Sequence, residues 1–254
     1  MMKKISSFLF VLLLMLASFT AGMEYPRGDV DYNGKVNIAD VVTLIDYLLT
    51  GTWDEPVTPD HEYVDLGLPS GTLWATCNVG ATAPEEYGDY FAWGETETKD
   101  VYKWSTYKWC NGSYNTLTKY CTRSSYGTVD NKTELDTEDD AAYVNWGENW
   151  RMPTYDQQTE LRTNCTWTWT TQNGVNGYLV TGSNGNTLFL PAAGGRFDSS
   201  LNGAGSWGYY WSRTLDSSDP CTAYYLYFGS EGVYWDCSRR CYGFTVRAVR
   251  VPQN

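Results

Sequence analysis

One histidine, His61, stands in a chain of 254 residues. A Ser-His-Asp or Cys-His mechanism must use it or do without, and His-ligated zinc, copper and iron centres have no ligands to draw on. Basic charge is also short. Eighteen Lys and Arg face thirty Asp and Glu, a formal charge of −12, and the cations are scattered. Nucleic-acid binding needs a basic footprint and finds none, whereas an acidic surface keeps an exported protein soluble. No apolar run spans a bilayer. The longest, Phe8 to Leu16, follows Lys3 and Lys4 and precedes small residues at Ser18, Thr20, Ala21 and Gly22. That pattern predicts a secretory signal over residues 1–23 rather than an anchor, and hence a secreted or extracellular protein, retained at the cell surface or released. No cysteine lies near the expected cleavage point, so lipid anchoring is not indicated. The seven cysteines (77, 110, 121, 165, 221, 237 and 241) contain no CxxC, which disfavours a zinc site. Disulfides are permitted in such a compartment. The odd count leaves at least one thiol free or paired in trans.

Against these absences, the stretch Asp29 to Asp40, DVDYNGKVNIAD, is rich in oxygen ligands. Asp29, Asp31 and Asn33 alternate, so a tightly curled backbone turns all three side chains onto one ion. Gly34 permits the sharp turn, Lys35 offers its carbonyl, Asn37 acts directly or through water, and Asp40 closes the loop. The cofactor expected here is Ca2+. A helix should follow, with Val41, Leu44, Ile45 and Leu48 on one face and Gly51 at its end. Pro26 leaves no room for an entering helix. A loop with one exiting helix resembles one repeat of a dockerin, the module that plugs into a cohesin on a partner protein. Dockerins carry two repeats, and residues 24–52 hold one. A second candidate, DSSLNGAGSWGY from Asp198, fails because Gly205 and Tyr209 occupy the hydrophobic and closing acidic positions. Its GxGxxG (Gly203, Gly205, Gly208) precedes the strand-like YYWS, not the helix that a dinucleotide site needs. The lone repeat therefore implies that its apolar face is covered by the large domain, by a self-complementary second copy of the chain, or by a cohesin-like partner.

Residues 53–60 read as a linker, and from His61 to Asn254 the composition changes. Tyr, Trp and Gly become dense, and short segments such as GTLWATCNVG, GYLVTG, NTLFLPAAG, AYYLYF and GFTVRAVRV alternate with turn signals. Helices are expected at Pro153–Leu161, capped by Thr154 and followed by a polar turn, and near Asp139–Trp146. The fold class is α+β, rich in short strands and long loops. Trp211, Tyr225, Leu226, Phe228, Phe244 and Val246 should be core.

Seven motifs then occur in order: YVDLGLPSGTLWATCNVGA, YFAWGE, WRMPTYDQQTEL, FLPAAGGR, GYYWSRT, AYYLYF and GFTVRAVR. Over roughly residues 61–251 they resemble the Fibrobacter succinogenes major paralogous domain of secreted bacterial proteins. That family is similar to the C-type lectin-like fold in its formylglycine-generating-enzyme branch. The resemblance implies a C-type lectin-like domain that displays loops for ligand contact. The expected irregular stretches are Arg213–Cys221 and Ser230–Cys241. Their candidate contact residues are Arg213, Asp216, Ser217, Asp219, Tyr234, Trp235, Asp236 and Arg239, a mix suited to adaptable recognition. This region also resembles the variable region of diversity-generating retroelement targets. The lectin tripeptides Glu-Pro-Asn and Gln-Pro-Asp are absent, so calcium-dependent sugar binding by the large domain is not expected. The ligand is a glycan or a protein, and the chain is more readily a binding protein than an enzyme. Two catalytic alternatives stand beside that reading. One is an oxidase using Cys237 and Cys241, although CSRRC departs from that enzyme's cysteine motif. The other is a glycoside hydrolase drawing on Glu85, Glu86, Glu95, Glu97, Asp136, Glu138, Asp139 and Asp140.

Overall fold

The computed structural model describes Val41, Leu44, Ile45 and residues 61–250. The chain divides into two compact units, Met1–Asp60 and His61–Asn254. In the first unit Val41, Leu44 and Ile45 are helical, with Val41 and Ile45 each 49% exposed. The expected signal segment, the linker and the calcium ligands Asp29, Asp31, Asn33, Lys35, Asn37 and Asp40 lie outside the described residues.

The second unit is a β-rich α+β domain of eleven strands and two α-helices among the described residues. Strands β1 (Tyr63–Asp65), β2 (Leu73–Ala75) and β11 (Val249–Arg250) make one sheet, in the order β1-β2-β11. A second contains β3 (Thr166–Gln172), β4 (Val175–Thr181) and β5 (Thr187–Pro191), and β6 (Gly195–Phe197) pairs with β7 (Ser200–Asn202). The third, ordered β10-β9-β8, is built from β8 (Gly208–Leu215), β9 (Thr222–Gly229) and β10 (Gly232–Arg239).

Local chemistry explains these elements. Helix α1 (Ala141–Trp146) starts where Asp140 accepts the Ala142 and Tyr143 amides, and it ends at Gly147 with φ +93°. Helix α2 (Tyr155–Asn164) follows Pro153 and starts with a capping box between Thr154 and Gln157. Both lie where the sequence places helices, though α2 runs three residues further and leads into β3 rather than a polar turn. The run TWTWTTQ carries the β-branched, alternating signature of a strand. The β3–β4 turn is Asn173-Gly174 with both residues at positive φ, the conformation that Asn-Gly hairpins favour.

Strands β8 and β9 are buried on both faces. Trp211 and Tyr225 point into one core with Phe91, Trp93, Phe244 and Val246, while Tyr210, Leu226 and Phe228 point into another with Leu161, Tyr178 and Leu190. All six residues expected in the core are there. The C-terminal GFTVRAVRV is extended but mostly unladdered, making single bridges from Phe244 to Phe91, Thr245 to Tyr210 and Val249 to Arg151 before β11 pairs with β2. One guanidinium within it and another just upstream are buried. Buried Arg247 donates to Asn78 Oδ1 (2.8 Å) and to the Ala75 and Thr76 carbonyls, and buried Arg240 holds loops described below.

One expectation changes in kind. Ser230–Cys241 is not an irregular stretch. Residues 232–239 form the edge strand β10, paired over its full length with β9. Its Tyr, Trp, Asp and Cys composition reads as loop because an edge strand has little to bury on its outer side.

Candidate functional site

The β8-β9-β10 sheet carries the C-terminal candidates. Opposed residues share a face, so Tyr209, Tyr227 and Tyr234 form one cross-strand row. Trp207, just before β8, stacks on Tyr227 with ring centroids 5.2 Å apart and planes 13° from parallel. Tyr209 lies 5.4 Å and Tyr234 6.3 Å from the same Tyr227 ring. Two glycines seat the tryptophan: a Cβ at Gly229 would come within 2.4 Å of its ring, and one at Gly203 within 2.8 Å. Trp207 nonetheless keeps 37% of its surface exposed and Tyr234 keeps 50%. The inner end of this face is core and the outer end is an open aromatic shelf, with exposed Asp236 on the Tyr234 side of β10. On the other face Trp235, 43% exposed, rests edge-on against Tyr155 of α2 at 5.2 Å. Trp207, Tyr209 and Tyr227 are absent from the sequence-based candidates. The signal for them is the alternating aromatic spacing of SWGYYWS and AYYLYF.

The eight candidate residues fall into two groups. Tyr234, Trp235, Asp236 and Arg239 lie exposed along β10, and Ser217 is exposed in the β8–β9 turn. Arg239 reaches the Tyr242 hydroxyl at 3.3 Å. Asp216 and Asp219 instead shape their own turn. Asp216 accepts from the Ser218 amide and hydroxyl and from Thr222, and Asp219 accepts the Cys221 amide. Burial pushes the Asp216 carboxyl up, but the Ser218 and Thr222 hydrogen bonds outweigh it and leave the group below its ordinary value. Arg213 donates to the Leu135 carbonyl (2.8 Å) and lies 3.4 Å from Glu134.

Apart from exposed Glu97, the carboxylates of the catalytic alternatives are already engaged, and the two cysteines are poorly ionised. Cys237 is half-buried and Cys241 buried, and both are unbonded thiols. Burial raises each to about 12, reinforced at Cys237 by the Asp216 carboxylate, which leaves little thiolate at neutral pH. Glu85 pairs with Asn173 and Gln172, Glu86 with Thr82, Glu95 with Lys99, and Asp140 with backbone amides. His61 stacks on Trp146 at 3.7 Å.

Among the described residues one carboxylate group, Asp136, Glu138 and Asp139, could hold a metal ion. Lys119 occupies its centre, with Nζ 2.6 Å from both Asp136 and Asp139 and 3.6 Å from Glu138. The ammonium supplies the positive charge, so the cluster is complete as an ion-pair network. A cleft of about 330 Å³ beside it is lined by Glu95 to Lys99, Thr106 and Lys108. Its most buried charge, Glu95, is matched by Lys99 at 2.7 Å. No family profile, curated protein or solved structure matches the chain. No helix among the described residues is long and apolar enough to cross a membrane.

Proposed function

We propose that this chain is an exported, non-catalytic binding protein that takes a glycan on the aromatic shelf formed by Trp207, Tyr227 and Tyr234. In this reading the second unit is a C-type lectin-like domain of the Fibrobacter succinogenes major paralogous type, and the Asp29–Asp40 loop binds Ca2+ and joins the protein to a cohesin-like partner or a second copy. The observation that carries the binding reading is the seated, exposed Trp207 stacked on Tyr227. A large aromatic held rigid by two glycines loses little entropy on binding, and its open face suits the C–H face of a sugar ring. Asp236, two residues beyond Tyr234 on the same strand face, takes the Cys237 amide on Oδ1 and keeps its other oxygen for a sugar hydroxyl. Cysteines raised far above neutrality and carboxylates committed to lysines and amides weigh against the oxidase and hydrolase alternatives.

The test is a glycan array with the full chain, repeated with a calcium chelator. Binding that survives the chelator and falls at least tenfold in Trp207→Ala and Tyr234→Ala supports the reading. An array without a hit, or binding untouched by both substitutions, refutes it. Calcium at the N-terminal loop is tested separately by calorimetric titration of the full chain, with Asp29→Ala and Asp31→Ala abolishing the heat.

A further inference from the structure

Buried thiols crowd the side of the sheet opposite the aromatic shelf's open end, and Arg240 organises them. Its Nη1 donates to the carbonyls of Tyr120 and Pro220, each at 2.9 Å. Those two carbonyls immediately precede Cys121 and Cys221, which are buried. The Arg240 amide also donates to the Cys221 carbonyl at 3.0 Å. One guanidinium therefore draws together two chain segments a hundred residues apart in sequence, each with a cysteine at the contact. Two further bonds tie the same segments. Thr122 Oγ1 donates to the Ser217 carbonyl at 2.9 Å, and Cys221 Sγ to the Tyr114 carbonyl at 3.2 Å. Cys121 Sγ donates to the Arg123 carbonyl at 3.1 Å and shares a buried cluster with Cys110, Cys241 and Tyr107, while Cys77 lies in another cluster and faces the Ala81 carbonyl.

We propose that Cys121 and Cys221, unbonded in this structure, form a disulfide in the mature protein, cross-linking the loop after Leu117 to the β8–β9 turn. The proposal rests on export to an oxidising compartment, where such bridges persist. The oxidant is a low-molecular-weight or protein disulfide. One cysteine thiolate attacks a sulfur of that disulfide, forms a mixed disulfide and expels the first thiol. The second cysteine thiolate then attacks the protein-bound sulfur, closes the bridge and expels the second thiol, so two protein thiols are oxidised and one disulfide is reduced to two thiols. Burial, and next the Asp219 carboxylate, raise the Cys221 thiol to about 12 in the folded state. Exchange is therefore slow once the loops have closed, and the bridge forms while the chain is folding.

The test is peptide mapping of the full chain refolded with reduced and oxidised glutathione, then alkylated under denaturing conditions without reductant. A peptide linking Cys121 to Cys221, two hydrogens lighter than its parts and lost on reduction, is the expected result. Alkylation of both cysteines, or either one linked elsewhere, overturns the proposal. Because the oxidant is supplied in the tube, this outcome does not depend on whether the protein is exported. A second measurement compares melting with and without reductant. Reductant should lower the midpoint of the refolded wild type and leave C121S/C221S unmoved; an equal shift in both overturns the bridge.

Discussion

Replacing Arg240 by Met should be among the most damaging single changes in the second unit. The guanidinium is wholly buried and packs against the rings of Trp93, Tyr107 and Tyr120, with its carbon 5.0, 5.3 and 5.7 Å from their centroids. It donates to the Lys119, Tyr120 and Pro220 carbonyls at 2.9–3.0 Å and to the Tyr107 hydroxyl at 2.9 Å. Methionine fills much of the stem but donates nothing. The Tyr107 hydroxyl keeps a partner, because it donates to the Trp93 carbonyl. The three loop carbonyls do not, and each one left unpaired costs about 1–3 kcal/mol, the part-buried Lys119 carbonyl nearest the low end. Relief from burying a charge offsets part of that sum. A net loss of about 4 kcal/mol follows, in line with removing one member of a buried charged network. For a domain of this size that corresponds to a fall in melting midpoint of roughly 8–16 °C. The assay is urea unfolding followed by tryptophan fluorescence, alongside thermal melts. Arg240→Lys, with one compact donor in place of a fork, should fall between. A Met variant within about 1 kcal/mol of wild type would show that the loops do not depend on the guanidinium.

Asp140→Ala removes the α1 cap and the acceptor for the Met152 amide, and should destabilise by about 2–4 kcal/mol in the same urea assay. Gly208→Ala places a Cβ 2.1 Å from the Phe228 ring in a packed core, so the expected loss is about 1–3 kcal/mol or failure to fold. Burial raises the Asp136 carboxyl, but Lys119 and Lys132 outweigh it and hold the group below its ordinary value. A carboxylate depressed on folding stabilises above its unfolded value, near pH 4, and that contribution is lost as pH falls through the folded one. Asp136→Asn should therefore flatten the acid limb of a stability–pH curve below about pH 4. An unchanged limb would mean that the ion pairs with Lys119 and Lys132 carry no net stability.

Much of the second unit can be read from local chemistry. Thr154 announces a helix because capping depends on a residue three positions away, and YYWS and AYYLYF announce strands through aromatic density between turn signals. β10 escapes that reading because its partner, β9, supplies the pairing while its own outer edge stays wet. The aromatic shelf escapes for a related reason. Trp207 and Tyr227 are twenty residues apart, and only the β8–β9 register and the missing side chains at Gly203 and Gly229 bring them together. The acidic residues are visible in the sequence, but their commitments are not. Lys119 sits some twenty residues before Asp139, and nothing in the charge pattern says that it will occupy the centre of the group.

The extended C-terminal segment has a consequence for the order in which the domain can be completed. Residues 244–250 bridge to Phe91, Tyr210 and Arg151, and pair with β2 near the start of the unit. Arg247 satisfies carbonyls at Ala75 and Thr76, which are otherwise left open beside the core. A nascent chain that has emerged only as far as Tyr242 thus lacks the edge strand β11, the buried segment before it and both of these closures. Such long-range pairing makes folding slow and keeps the earlier residues unlocked until the last have arrived.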